Sequence, residues 1–331
     1  MLNRLDIKTS LAGLVATGNH KLPERRIPFR EKPIPRYVLP YRGLFGLALI
    51  GLFWPASWLK MGFIGHYSFF PLWLGYILTV EGLVLRRTGT SLIQRNSKTF
   101  VGMFIIASPF WWFFEGVNHF TESWHYLGNE GRSTAYFILL SSWAFSIVVP
   151  AILETAELLG STKFIQRLST GPVIKPSNTL IVGEVSVGVA CLMALAIWPH
   201  YAFPVTWLGV FFILDPINYV QGRPSVLATV RHGDWRLPCS LAFGALVCGW
   251  FWEMWNFYAI PKWEYTIGFF DFVHIFEMPL LGYGGYLPFG LETFAAYHFA
   301  AGLVGWSSGA SIPINSDEQA NFDIDRAGLA P

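Results

Sequence analysis

The sequence predicts an all-α fold: a polytopic membrane helical bundle of about eight spans, built as a tandem duplication of a four-helix unit. Three observations predict it. The 331 residues are 53% hydrophobic and only 13% charged, whereas soluble domains carry about a quarter charged residues. Apolar runs long enough to fill a bilayer core recur along the chain, as at 43–59, 68–85 and 135–152. Four sequence blocks also return in the same order 134 to 139 residues later. This composition excludes a disordered chain, and the 17% aromatic content argues against an ordinary cytosolic domain. A net charge of +2 gives no reason to expect nucleic acid as a partner.

Residues 1–42 hold nine of the 23 Lys and Arg, interleaved with Pro23, Pro28, Pro33 and Pro35. This basic segment reads as cytoplasmic and close to anionic headgroups, and its one apolar patch, 11–17, is too short for a signal peptide. Spans follow at 43–59, 68–85, 100–118 and 134–158, which make a first four-helix repeat over 43–160. A second repeat over 179–303 holds spans at 179–198, 203–221, 239–257 and 272–296, with 304–331 as a cytoplasmic tail. Connections assigned to the inside carry 20 Lys and Arg, against Lys60, Arg132 and Lys262 outside. Both termini are therefore expected in the cytoplasm. Cys191, Cys239 and Cys248 all fall in apolar runs and offer neither a disulfide framework nor a metal motif.

The duplication rests on matched blocks. His66-Tyr67-Ser68-Phe69 with Trp73-Leu74-Gly75 returns as His200-Tyr201-Ala202-Phe203 with Trp207-Leu208-Gly209. Trp112-Phe113-x-Glu115-x-x-Asn118 returns as Trp250-Phe251-x-Glu253-x-x-Asn256, and Trp124-x-Tyr126 as Trp263-x-Tyr265. Pro150-x-x-x-Glu154-Thr155 returns as Pro288-x-x-x-Glu292-Thr293. An even number of spans per unit gives both halves one orientation, so a parallel repeat about the membrane normal is expected.

Ionisable residues inside spans are costly and mark candidate sites. Glu115 and Asn118 share one face of span three, and Glu253 and Asn256 repeat them in span seven. Identical pairs in both halves suggest scaffold, as do Glu154 and Glu292 near the inner ends. The second half alone adds Asp271, His274 and Glu277, whose i, i+3, i+6 spacing predicts a polar stripe on one face of span eight. The chemistry is therefore expected between spans seven and eight, with Glu253 and Glu277 as acid and base. Asn256 and His274 would be their hydrogen-bonding partners, and Trp250, Trp252, Trp255 and Asp271 would line the substrate. A carboxyl in an apolar pocket can serve as a general acid, and aromatic faces stabilise a developing cation. The same ingredients would also build a pocket for a pigment or lipid tail.

The segment Trp252-Glu253-Met254-Trp255-Asn256, followed by Trp263-Glu264-Tyr265 and Phe276-Glu277-Met278-Pro279, resembles the lycopene cyclase domain family of the heterodimeric and fused type. The resemblance covers about 30 residues, with a fainter echo at 112–126. It implies an all-helical, tandemly repeated fold and a net isomerisation without a cofactor. It also implies Glu253 and Glu277 as acid/base residues with Asn256 orienting. Here Glu277 precedes Pro279, where the family places its acidic residues after the proline. Three functions follow as expectations. The first is a membrane isomerase, cyclase or hydratase acting on an isoprenoid or other lipid, with neither metal nor cofactor. The second is a non-catalytic subunit or lipid- or pigment-binding scaffold, and the third is a transporter. Expected partners are membrane lipids or an apolar isoprenoid ligand, and other membrane proteins.

Overall fold

A backbone in hydrocarbon must satisfy its own hydrogen bonds, so the long apolar runs fold as helices. The computed structural model describes residues 39–267 and 271–306. Most of the basic N-terminal segment and most of the C-terminal tail lie outside the described residues. The first half comprises α1 (Tyr41–Trp58), α2 (Gly62–His66), α3 (Phe69–Thr88), α4 (Leu92–Thr121), β1 (Trp124–Leu127), α5 (Thr134–Phe145) and α6 (Val148–Gly160). After the short α7 (Lys163–Gln166), the second half comprises α8 (Asn178–Ile197), α9 (Pro199–Ala202), α10 (Thr206–Val220), α11 (Val226–Val230), α12 (Arg236–Phe257) and β2 (Lys262–Tyr265). It ends with β3 (His274–Ile275), β4 (Met278–Pro279) and α13 (Tyr286–Leu303). The protein is an all-α bundle, and six stretches are long and apolar enough to cross a membrane: 69–88, 92–121, 134–160, 178–197, 199–220 and 236–257. The expected first and eighth spans are the 18-residue helices α1 and α13, which fall outside these six.

Helix packing follows the same pattern in each half. α1 packs on α3, α3 on α6 and α4 on α6; correspondingly α8 packs on α10, α10 on α13 and α12 on α13. The halves meet where α6 packs on α12, α4 on α13, and α6 on α13. Two partly buried ion pairs brace the first half. Arg42 reaches Glu81 at 3.1 Å, joining α1 to α3, and Arg95 grips both Glu157 oxygens at 2.9 and 2.7 Å, joining α4 to α6. Glycine sets the closest approaches, as is common where helices pack in a membrane. A Cβ on Gly290 would run into the Leu241 carbonyl, so α13 and α12 touch backbone to backbone.

α4 begins as a short turn and restarts at Asn96, where φ is −159° and ψ 88°. The Asn96 side chain accepts a hydrogen bond from the Thr99 amide at 3.1 Å, as an N-cap does. In the second half the corresponding turn is separate, as α11, and Asp215 holds its first amides of Val226 and Leu227 at 2.7 and 3.0 Å. The expected fourth span is likewise two helices, α5 and α6, parted at Ser146 and Ile147.

The largest correction falls on span eight. The expected helix over 272–296 starts only at Tyr286. Before it, β3 and β4 form a small hairpin, His274 opposite Pro279 and Ile275 opposite Met278, followed by a 3-10 segment over Leu280–Gly285. Val273 and Phe276 take positive φ (52° and 57°), which turns the chain back, and Pro279 with Gly282, Gly284 and Gly285 delays the helix. Asp271, His274 and Glu277 therefore share no helix face.

The strands β1 and β2 come from equivalent places in the two halves and pair antiparallel: Trp124 opposite Tyr265, His125 opposite Glu264, and Tyr126 opposite Trp263. Each Trp thus faces the counterpart of its own half's Tyr. Self-complementary pairing of this kind is what a two-fold axis through the sheet produces. Ring contacts repeat the relation, since Phe69 meets Trp263 at 5.9 Å and its counterpart Phe203 meets Trp124 at 6.3 Å.

Candidate functional site

Alternation along a strand sends every second side chain to the same face. In β1–β2 that face carries Trp124, Tyr126, Trp263 and Tyr265, and all four line a cavity of about 240 Å³ beneath the strand pair. Both halves build its walls. Trp111, Phe137 and Phe145 come from the first, and Trp207, Trp252, Tyr286 and Phe289 from the second. Polar groups are few and sit mainly toward the strand end: His66, Tyr67, Asn129 and Lys262. The Asn129 Oδ1 is buried and accepts no hydrogen bond among the described residues.

Each half holds its strand with the same clamp. Asn118 donates to the Trp124 carbonyl at 2.8 Å and accepts from the Ser123 and Trp124 amides at 2.8 and 3.1 Å. Asn256 donates to the Trp263 carbonyl at 2.7 Å and accepts from its amide at 2.9 Å. Beside each clamp a carboxylate takes the hydroxyl of the tyrosine two residues further on. Tyr126 donates to Glu115 at 2.6 Å, and Tyr265 to Glu253 at 2.8 Å. Burial, then the neighbouring carboxylate, pushes both tyrosines well above their usual range, so each phenol keeps its proton and donates.

The two carboxylates differ in their other partners. Glu115 is half-buried, and its Oε1 also accepts from the indoles of Trp111 at 2.9 Å and Trp124 at 3.2 Å. Glu253 is fully buried, and its Oε1 takes a second phenol, Tyr286, at 2.7 Å. Its Oε2 has no partner among the described residues. Glu253 therefore stands one hydrogen bond behind two tyrosines of the cavity wall.

The remaining expected residues divide. Trp252 lines the cavity and stacks on Tyr286 at 6.1 Å. Trp255 is buried outside it against Trp54 and Trp73, and Trp250 is 45% exposed on the opposite side, beside Phe276. Glu277 does not face Glu253 from a helix. It sits in the hairpin turn, bonded to Lys262 at 2.7 Å, while Glu264 meets the same ammonium at 2.8 Å. Burial alone would lower the Lys262 ammonium, but these two carboxylates hold it above its usual value. His274 pairs with Asp271 at 2.8 Å on the exposed surface, away from the cavity. Glu154 and Glu292 are fully buried in α6 and α13, and neither carboxyl has a hydrogen-bond partner among the described residues.

Sequence reasoning missed Tyr126, Tyr265 and Tyr286 as site residues and read Trp124 and Trp263 as members of a repeated block. The repeated Trp-x-Tyr block was the signal for four of these five. Its period of two is that of a strand, and its duplication offered it a partner. No protein-family model matches the chain, and comparison with curated proteins and with solved structures finds no similar one.

Proposed function

We propose that this membrane protein binds an isoprenoid-like apolar compound between its halves and isomerises, cyclises or hydrates it by proton transfer. One observation carries this reading: the aromatic cavity has Glu253 one hydrogen bond behind Tyr265 and Tyr286 of its wall. In this reading the two phenols meet the ligand. A protonated Glu253 turns its hydroxyl to one phenol oxygen while that phenol turns its own proton to the double bond. The proton lost from the other carbon returns to Glu253 by the same route. Asn256 is a positioning residue, since it holds Trp263 and through it the strand that carries Tyr265. A polyene double bond takes a proton at one carbon and loses one from another, so isomerisation or cyclisation needs no oxidant; hydration consumes one water. The aromatic faces stabilise the cation between these steps. Asp271, His274 and Glu277 belong to the surface and rim.

We also propose that α1 and α13 cross the membrane, giving eight passes with both termini cytoplasmic. Eighteen helical residues span about 27 Å, close to a hydrocarbon core, and the Lys and Arg distribution supports this orientation. The cavity then lies in the outer leaflet.

A second reading, a ligand-binding scaffold, is favoured by the twin clamps, because Glu115 and Glu253 hold their strands alike. Purification in mild detergent, solvent extraction and mass spectrometry separate the two. The enzyme reading expects Glu253→Gln to carry a different, unconverted compound from wild type, and Glu115→Gln to carry the wild-type compound. One identical compound in all three would leave the scaffold; none in any would contradict both readings.

A further inference from the structure

The strand pair closes one end of the cavity, and most of its walls are buried helices. α5 is different. Only Ser141 and Phe145 are buried along its 12 residues, whereas α6, directly after it, buries 11 of 13. Trp143 on α5 is 60% exposed on the apolar outside of the bundle and also lines the cavity. Its ring lies 4.2 Å from that of Phe70 on α3, which lines the cavity too. This pair of rings stands between the cavity and the exposed face of α5. Beyond it toward the strand end, α5 is tied down by Tyr136, which bonds His66 at 2.8 Å and Tyr67 at 2.9 Å.

We propose that Phe70 and Trp143 form a lateral portal through which a lipid-dissolved isoprenoid enters end-on, its tail remaining in the membrane. The proposal rests on the reading of the cavity as the ligand site. Size points to end-on entry. A cavity of about 150 Å³ takes one benzene, so the 240 Å³ here takes roughly ten carbon atoms. A longer isoprenoid must leave part of its chain outside. The portal is the apolar exit, because the strand end carries Lys262, Glu264 and Glu277 as ion pairs. The Trp112 indole donates to Ser142 at 2.8 Å and holds the middle of α5 in place, so the portal opens by turning of the Trp143 side chain to another rotamer.

The test uses the full chain in phosphatidylcholine vesicles with a diazirine-bearing C15 isoprenoid alcohol as photoprobe, and labelled peptides mapped by mass spectrometry. In Phe70→Cys/Trp143→Cys, with Cys191 and Cys239 replaced by Ala, label should appear on Trp207, Trp252 and Phe289. Bridging the pair with a bis-maleimide should lower that labelling at least fivefold. Equal labelling before and after bridging would overturn the portal and leave the cavity reading standing; no cavity label in either state would overturn both. Trp143→Ala alone should speed cavity labelling several-fold, while Leu139→Ala, 73% exposed on the same helix and away from the cavity, should not. Equal rates in these two variants would also overturn the portal.

Discussion

At the scale of the residue, the twin clamps explain why Glu and Asn recur three apart near the ends of α4 and α12. The asparagine replaces the hydrogen bonds that a chain leaving a helix has lost, and the glutamate anchors the tyrosine of the strand that follows. Because these groups are paired and wholly or partly buried, removing one partner leaves the others unsatisfied. Asn118→Ala and Asn256→Ala should therefore each lower stability by about 1–3 kcal/mol, read as a fall in Tm in detergent. A neutral result at both positions would remove the clamp from the account. The sequence already marked all four polar residues, because a carboxylate in an apolar run is conspicuous wherever it sits. It did not mark their partners. Tryptophan and tyrosine at a helix end are what a membrane interface also selects, and only the pairing of β1 with β2 shows their other use.

The elements were legible to different degrees for physical reasons. Uninterrupted apolar runs such as 179–198 fold nearly as expected, as α8 over Asn178–Ile197. Span eight failed because the spacing of Asp271, His274 and Glu277 matched a helical period while Pro279 and three nearby glycines opposed a helix. In a short segment such backbone preferences outweigh a three-residue pattern. Helix contacts made through glycine allow a sharper prediction. Gly290→Ala forces a methyl group into the Leu241 carbonyl and should part α13 from α12. Gly183→Ala on α8 meets nothing within 4 Å and should be neutral or slightly stabilising, as alanine favours helix. Thermal unfolding of the two variants side by side checks this, with a large fall expected only for Gly290→Ala.

At the scale of the molecule, duplication supplies the symmetry and its breaking shapes the cavity. The matched blocks were readable because offsets of 134 to 139 residues persist across all four of them. The pairing of the two strands was not, since two four-residue strands from distant segments stabilise each other only once both halves have folded. Where the first half keeps a helix, α5, the second has the β3–β4 hairpin and a 3-10 segment, so the cavity has one helical wall and one compact wall. Reporter fusions after residues 90, 165 and 230 should read as cytoplasmic and those near 128 and 262 as outside; an outside signal at 165 would dismantle the eight-pass arrangement. The central claim, that the cavity between the halves holds an apolar ligand, is tested most directly by native mass spectrometry of wild type beside Ala144→Trp, whose side chain fills the cavity from α5. Wild type should carry a single apolar adduct per chain, and the variant, folded and monodisperse by gel filtration, should carry none. A wild type without an adduct, or the same adduct retained by both, would contradict the account.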